Sequence, residues 1–368
     1  VSDSGDARVR VLIAASGSGG HLLPAVFIAN AIQKEAPNAE IQFVGSGRPL
    51  EEKVIVARGF KRTVVELTGL KGLGVVGLFK FLVRLPKALL SVWRLLGEFR
   101  PHVVIGVGGY VSVLPVLAAR LRGIPTWIHE AELNPGMANS FLGRFSSRVS
   151  VAYEKTTIGS SGSRVHTGHP VRPEMADVKP VSTEAPKNLL VLGGSQGAKS
   201  LDRTLASLAP KLKELGVNVM HQSRADQVSG LEEAYGRAGV QAKVFSFTDD
   251  MVGAYSWSDV IVARSGAGLV LEIGVSGRPA IFVPLPNSQG GHQIINAEML
   301  EKPGRALIVL EGDDFEGRLL GALSGILKPD NYRKMCAVRI ESRGLTAAGA
   351  IAKGVLQLSK GCQLDLIP

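Results

Sequence analysis

The sequence predicts an α/β protein of two facing Rossmann-like domains, each built on a parallel sheet. Three observations carry the prediction. The chain has 368 residues, more than one domain of ordinary size uses. Short Val/Ile-rich runs alternate with segments of helical period, which is the pattern of βαβ units. Glycine-rich turns stand where an apolar run ends and a helical pattern begins: SGSGGH from Ser16 to His21, GVGGYVS from Gly106 to Ser112, and GGSQGAKS from Gly193 to Ser200.

In chain order, VRVLIAA reads as the first strand, followed by a helix from about His21 to Lys34, the strand IQFVGS, a helix near Leu50 to Ala57 and the strand KRTVVEL. A basic amphipathic helix precedes HVVIGV. A helix from about Val111 to Leu121, the strand PTWIHE, a helix near Met137 to Leu142 and the strand RVSVAY complete the first half. Pro170, Pro173, Pro180 and Pro186 mark a linker, giving domains of residues 1–170 and 187–368 joined by 171–186, with the last helix free to pack back on the first domain. The second half restarts with KNLLVLGG, a helix from Lys199 to Leu215, VNVMHQ, a helix near Leu231 to Arg237, AKVFSF, a short helix from Asp249, DVIVARSG, a helix from Gly268 and RPAIFVP. Helical segments from about His292 to Leu358 end it.

Composition narrows the class. With 45% hydrophobic and 20% charged residues the chain is a folded protein with material for two cores. Cys336 and Cys362 have no metal-type spacing, which favours a reducing compartment and no metal site. The polar opening VSDSGDARVR carries no secretory signal, and no apolar run of transmembrane length occurs. A net charge of +10 fits nucleic acid, anionic lipid or an anionic substrate. Aromatic residues are only 5%, and no recognition motif is present, so nucleic acid is not expected.

The charge has a local pattern. Lys80, Arg84, Lys87, Ser91 and Arg94 fall on one helical stripe, with Leu78, Phe79, Leu82, Leu85, Leu89, Val92 and Trp93 around it. Such a helix fits an anionic membrane surface. The plainer reading is a buried crossover helix with a solvated basic edge, and Pro86 is expected to kink it in either case.

The glycine turns aim backbone N–H groups and helix N-termini at a ligand, which suits a diphosphate, although glycine also simply closes tight turns. His21 ends the first turn, where its imidazole can take a proton or bond a sugar or phosphate. In GGSQGAKS, Ser195, Gln196 and Gly197 offer successive donors, without the GKS or GKT ending of a P-loop or the full GxGxxG fingerprint of a nicotinamide site. In ARSGAGLVLE, Ser265, Gly266 and Ala267 turn into a helix on which Glu272 can hold two ribose hydroxyls. His292 and Gln293 follow with groups that read sugar hydroxyls.

These motifs in this order resemble the MurG-type glycosyltransferases, which move N-acetylglucosamine from UDP-N-acetylglucosamine to undecaprenyl-pyrophosphoryl-muramoyl-pentapeptide in peptidoglycan synthesis. The resemblance covers nearly the whole chain through SGSGGH with HLLPA, GVGGYVS, IHEAELNPG with Asn139, TGHPVR, GGSQGA, FTDDM, RSGA with Glu272, and HQ with Asn296 and Ala297. It implies a GT-B fold and an inverting, metal-independent transfer with no cofactor beyond the donor nucleotide. It also implies a lipid-linked acceptor and a peripheral position on the cytoplasmic face of the plasma membrane. By position it implies that Ser18, Gly19, Gly20 and Tyr110 face substrate, that Arg172 and Ser195 bond the donor, and that Thr248 borders the uracil. Ala267, Gly268, Leu269, Val270, Leu271 and Glu272 then hold the diphosphate and ribose, and Gln293 reads the N-acetylglucosamine hydroxyls.

The chain departs from the family pattern at particular places. It has His129, Glu130, Ala131 and Glu132 where HEQN is usual, His169 for the Asn of TGNPVR, and Val113 and Leu114 for Gly-Pro. Asp202 stands for an Asn, Leu269 for a Thr and Gly291 for an acid. His21 is the first candidate base for the acceptor hydroxyl, and Glu132 the second. Two rival readings are a UDP-sugar epimerase of the same fold and a nucleotide-sugar-binding paralogue without turnover.

Overall fold

The computed structural model describes residues 8–17, 19–66, 75–181, 185–194, 197–248, 250–286, 288 and 291–361, without the side chains of 75–82 and 161. Ser18, Ser195 and Gln196, and the side chains of Lys80, Leu78, Phe79 and Leu82, therefore lie outside what is described. The chain divides into two compact units, residues 1–172 with 346–368, and residues 173–345.

The first unit contains β1 (Arg10–Ala14), α1 (Gly19–Glu35), β2 (Glu40–Gly45), α2 (Pro49–Val54), β3 (Lys61–Val64), α3 (Val75–Phe99) and β4 (Val103–Gly106). It continues with α4 (Val113–Leu121), β5 (Thr126–Glu130), α5 (Met137–Leu142), β6 (Arg148–Val151) and β7 (Arg164–His166). The strand order is β3-β2-β1-β4-β5-β6-β7, every pair parallel. Buried apolar strands of this kind need helices on both faces, and β1 shows why. Val11 and Ile13 pack on one face with Leu22 and Val26 of α1, while Leu12 and Ala14 pack on the other with Val92 of α3 and Val116 of α4.

The second unit contains β8 (Asn188–Leu192), α6 (Lys199–Ser207), α7 (Ala209–Glu214), β9 (Asn218–Gln222), α8 (Val228–Arg237), β10 (Ala242–Phe245), α9 (Met251–Trp257) and β11 (Val260–Ala263). Then come α10 (Ala267–Ser276), β12 (Ala280–Phe282), α11 (His292–Glu301), β13 (Ala306–Ile308), α12 (Phe315–Ile326) and α13 (Pro329–Ala337). Its parallel sheet runs β10-β9-β8-β11-β12-β13. The last helix, α14 (Gly344–Ser359), places Ile351, Ala352 and Val355 in the core of the first unit. Its Gly354 lies so close to the Trp127 ring that an added Cβ would stand 2.5 Å from it.

Several expectations are corrected. Residues 173–177 are not linker: they form a 3₁₀ turn of the second unit with Met175 buried, and Lys179 N–H bonds Ser256 Oγ at 3.1 Å. The expected helix from Lys199 to Leu215 is two helices, because Pro210 cannot continue the hydrogen-bond ladder and instead opens α7. Strands β7 and β13 were not expected; each has three residues, too few to show a period.

Helix α3 continues from Val75 to Phe99 with Pro86 inside it. Ala88, Val92, Leu95 and Leu96 are buried. Val83, Leu89, Leu90 and Trp93 are exposed, at 61%, 41%, 49% and 39%, together with Arg84, Lys87 and Arg94. A buried crossover helix with only a basic edge in solvent does not describe it. No helix of the described residues is long and apolar enough to cross a membrane.

Candidate active site

In an open parallel sheet the ligand crevice lies beyond the C-terminal strand ends, where the strand order reverses. That point falls between β1 and β4 in the first unit and between β8 and β11 in the second. The glycine turns predicted from sequence leave these four strands, or, after β11, the RSGA turn does.

In the first unit, α1 begins at Gly19, two residues before the expected start, so His21 lies within the first helical turn. Its ring does not project freely outward. It packs on Gly108, whose φ of +94° suits glycine and where a Cβ would stand 2.7 Å from His21 Cδ2 and 3.8 Å from Asn139 Nδ2. Burial lowers the His21 pKa, so the imidazole is neutral near pH 7 and keeps a lone pair. Tyr110, half-buried, opens the 3₁₀ turn after β4.

Beside His21 the end of β5 gathers polar groups that the sequence reading did not name as site residues. His129 and His169 share one proton between Nε2 and Nδ1 at 2.9 Å, and His129 Nδ1 lies 3.0 Å from Ser150 Oγ, which also accepts Trp127 Nε1–H at 2.8 Å. Burial and the nearby His21 push the His169 pKa down to about 3, and burial with the nearby His169 and His21 pushes that of His129 well down, so both rings are neutral. The Glu130 carboxylate accepts from the N–H groups of Glu132 at 2.9 Å and Gly136 at 3.1 Å and from Asn139 Nδ2 at 3.0 Å. Burial nevertheless pushes its pKa up to about 7, with the nearby Glu132 charge adding to the rise. Glu132 itself is half-buried. His21 Nδ1, Asn139 Oδ1, Tyr153 OH and His169 Nε2 are buried with no hydrogen-bond partner among the described residues. Orphaned polar atoms concentrated at a sheet's switch point mark a place where a polar ligand belongs.

In the second unit Gly193 and Gly194 follow β8, and Gly197 N–H bonds the Gly194 carbonyl at 3.0 Å. Gly197, with φ of +71°, lies under Arg224, and a Cβ there would stand 2.4 Å from Arg224 Cγ. After β11, Gly266 caps α10, and the first intrahelical bond joins Val270 N–H to the Gly266 carbonyl at 3.0 Å. The N–H groups of Ala267, Gly268 and Leu269 thus remain for an anion, with no acidic residue in the first turn to compete. The Val270 side chain is fully buried, so it offers packing and not contact with a ligand. Leu271 is half-buried.

Glu272 is only 8% exposed, and its Oε2 accepts from Tyr255 O–H at 3.1 Å. That bond fixes the carboxylate and leaves both oxygens lone pairs with which to accept further hydrogen bonds. Gln293 Oε1 accepts from Leu285 N–H at 2.9 Å and Ser265 N–H at 3.4 Å, leaving its Nε2 amide to donate. Asn296 Nδ2 bonds the Ser265 carbonyl at 3.1 Å, while Ser265 Oγ and His292 Nδ1 are buried without a partner among the described residues. Thr248 Oγ1 accepts from Asp250 N–H at 3.1 Å, and Arg172 is the last residue of the first unit. Asp202, one of the departures, belongs to the interior: it accepts from Ser223 Oγ at 2.6 Å and bonds His221 Nε2 at 3.2 Å.

Two nucleotide-binding-type units, one with unpaired helix N–H groups and a fixed acid, the other with neutral buried imidazoles, define a nucleotide-sugar enzyme of the GT-B class. The chain belongs to glycosyltransferase family 28, whose N-terminal domain matches residues 11–151 and whose C-terminal domain matches residues 188–344.

Within that family it is similar to the UDP-N-acetylglucosamine–N-acetylmuramyl-(pentapeptide) pyrophosphoryl-undecaprenol N-acetylglucosamine transferase of Syntrophotalea carbinolica, with 32% identity covering 93% of this chain and 96% of the relative. The protein of the same name from Anaeromyxobacter sp. strain Fw109-5 is 37% identical, covering 85% and 84%. Among solved structures, Acinetobacter baumannii MurG superposes with a TM-score of 0.74 at 30% identity, covering 95% of this chain and 99% of that one. A UDP-N-acetylglucosamine 2-epimerase from Neisseria meningitidis gives 0.65 at 16% identity over 95% and 99%, a likeness of fold alone.

Proposed function

We propose that the protein transfers N-acetylglucosamine from UDP-N-acetylglucosamine to the undecaprenyl-pyrophosphoryl N-acetylmuramyl-pentapeptide of peptidoglycan synthesis. The observation that carries this reading is full-length similarity, 32% over 93% of the chain, to transferases of that name. The epimerase alternative has the shared fold in its favour and only 16% identity in the comparison with the Neisseria enzyme.

In the mechanism we infer, the second unit binds the donor and the first supplies proton chemistry. The N–H groups of Ala267, Gly268 and Leu269 receive the diphosphate, and the α10 dipole stabilises charge as UDP departs. Glu272, held by Tyr255, accepts from ribose, and Gln293 Nε2 donates to a sugar hydroxyl. The acceptor 4-hydroxyl attacks the anomeric carbon, the glycosidic bond to UDP breaks with its electron pair leaving on the phosphate, and the configuration inverts. Neutral His21 takes the hydroxyl proton. Glu130 orients the Glu132–Gly136 loop and Asn139 and is a positioning residue.

A lipid-linked acceptor requires an approach to the membrane. Helix α3 supports it, since exposed Val83, Leu89, Leu90 and Trp93 stand among exposed Arg84, Lys87 and Arg94. The test is incubation with labelled UDP-N-acetylglucosamine, with and without the lipid-linked acceptor. Acceptor-dependent transfer of label is expected. Label converted to another UDP-sugar without acceptor would establish the epimerase reading instead.

A further inference from the structure

The first glycine turn is anchored from outside itself, by an acid that sits more than thirty residues further along the chain. Glu51, in the first turn of α2, is a fully buried carboxylate. Its Oε1 accepts from Ser46 N–H at 3.0 Å and from Ser46 Oγ–H at 2.8 Å, and its Oε2 accepts from Gly47 N–H at 2.9 Å and Arg62 Nη1–H at 3.4 Å. The strand before it makes way: Gly45 ends β2 directly beside Oε2, where a Cβ has no room. An acid in the first turn of a helix also suits the dipole and the donors ahead of it. That accounts for the carboxylate, and not for the hydroxyl chain that leads away from it.

Ser46 Oγ gives its proton to Glu51, so it has only lone pairs left to offer, and it accepts Ser16 Oγ–H at 3.0 Å. The carboxylate accepts only, and it therefore sets the direction of both hydroxyl protons. Ser16 is 3% exposed and opens the SGSGGH turn. The sheet fixes the strand ends up to this point, through Ala15 N–H to the Val44 carbonyl at 3.1 Å and Val107 N–H to the Ala14 carbonyl at 3.0 Å. The Ser16 side chain carries that hold one residue further, into the turn, and its carbonyl meets the second glycine turn, where a Cβ on Gly109 would stand 3.4 Å away. Gly17 follows with φ of +105°, and His21 Nδ1 lies 3.7 Å from where its Cβ would be.

We infer that Glu51, acting through Ser46 and Ser16, is a positioning residue for the transfer reaction: it fixes the first glycine turn and with it the place of the His21 ring. The inference rests on the reading of His21 as the base. A base must lie within hydrogen-bond reach of the hydroxyl it deprotonates, and a displacement of about 1 Å costs on the order of 10²-fold in rate.

The test uses the full chain, labelled UDP-N-acetylglucosamine and the lipid-linked acceptor. Ser16→Ala and Ser46→Ala each remove one link and leave the Glu51 bonds to the Ser46 and Gly47 N–H groups. Each should lower kcat roughly ten- to hundredfold, with UDP affinity by calorimetry unchanged. Glu51→Gln turns an amide N–H₂ toward one of its donors and should show the same loss; where that buried change unfolds the protein, Ser46→Ala tests the same link. In a His21→Ala background Ser16→Ala should cost nothing further, because the turn then has no ring to place. With isotopically labelled histidine, the His21 resonance should move in both serine variants while that of His221, in the second unit, stays in place. Wild-type kcat in both serine variants with an unmoved His21 resonance overturns the inference, and so does a loss from Ser16→Ala that multiplies with that of His21→Ala. A moved His21 resonance together with full activity in His21→Ala overturns the reading of His21 as the base and leaves the anchoring of the turn standing.

Discussion

The Glu130 carboxyl allows a quantitative prediction about the candidate site. Burial raises its pKa from 4.5 to about 7, against the three N–H donors that favour the anion. The folded state therefore holds this proton to higher pH than the unfolded chain does. Stability from this group is fully present below pH 4.5 and is lost as pH rises toward 7. At about 1.36 kcal/mol per pKa unit, the loss across that window is about 3 kcal/mol. Glu130→Gln removes the titration and, by placing an amide N–H₂ against a donor, costs a hydrogen bond at every pH. The difference in unfolding free energy between variant and wild type should thus shift in the variant's favour by about 3 kcal/mol between pH 5 and pH 8.

The assay is urea unfolding at pH 5, 6, 7 and 8, following tryptophan fluorescence in a Trp257→Phe background, so that Trp93 and Trp127 report the first unit. Taking the difference between the two proteins cancels the opposite contribution of His21, His129 and His169. Their pKa values are lowered by folding, so they contribute stability that is present above pH 6.5 and lost as pH falls. A variant-minus-wild-type difference that stays constant from pH 5 to pH 8 would show that Glu130 is ionised throughout, its three donors outweighing burial.

Replacing His21 by Ala should lower kcat by roughly 10² to 10⁴ while leaving UDP affinity unchanged; full activity in the variant removes it as the base. Because its pKa is lowered, the acid limb of the rate profile should fall below pH 6.5. Glu272→Ala should weaken UDP binding by roughly 1 to 3 kcal/mol by calorimetry, and Tyr255→Phe by less, since it frees one oxygen without removing the carboxylate. Gly108→Ala drives a methyl into His21 at a positive φ, so activity should fall with UDP binding intact; an active variant would show that the His21 ring position is not critical. Changing Arg84, Lys87 and Arg94 to Gln should reduce binding to anionic vesicles by on the order of 1 kcal/mol per charge at low salt, and sedimentation equal to wild type refutes docking through α3.

What could be read from the sequence was what the backbone decides. The strand ends at Ala14, Gly106, Leu192 and Ala263 are marked by apolar runs that stop at glycine or serine, and the fold puts the two switch points there. The side-chain partners were not legible. Gln293 looked like a free reader of sugar, yet its carbonyl is committed to Leu285 and Ser265, 8 and 28 residues away in sequence. Asp202 looked like an altered site residue, yet it lies against His221 and Ser223 of and just after β9. His129 and Glu130 had a usable signal, since they end a strand buried on both faces, where polar side chains need partners or a ligand. Their link to His169 had none, because 40 residues separate the two rings that share a proton.

This difference explains how two halves with the same strand order carry different chemistry. The order β3-β2-β1-β4-β5-β6 recurs as β10-β9-β8-β11-β12-β13, and each half presents glycine turns at its switch point. In the second half, α10 starts at Ala267 and Gly268 after its cap Gly266, small residues that leave backbone N–H groups accessible, so this helix end suits a negative charge without a titrating group. In the first half, burial acts on His21, His129, His169 and Glu130, keeping the imidazoles neutral and raising the acid to about 7. The turn fixes where a ligand sits, and what surrounds the turn fixes whether it receives a phosphate or loses a proton. Exchanging Glu272 for Gln should therefore change donor affinity with little effect on the pH dependence of turnover, whereas exchanging Glu130 for Gln should do the reverse. Identical pH–rate profiles for Glu130→Gln and wild type, with UDP affinity altered, would overturn that division.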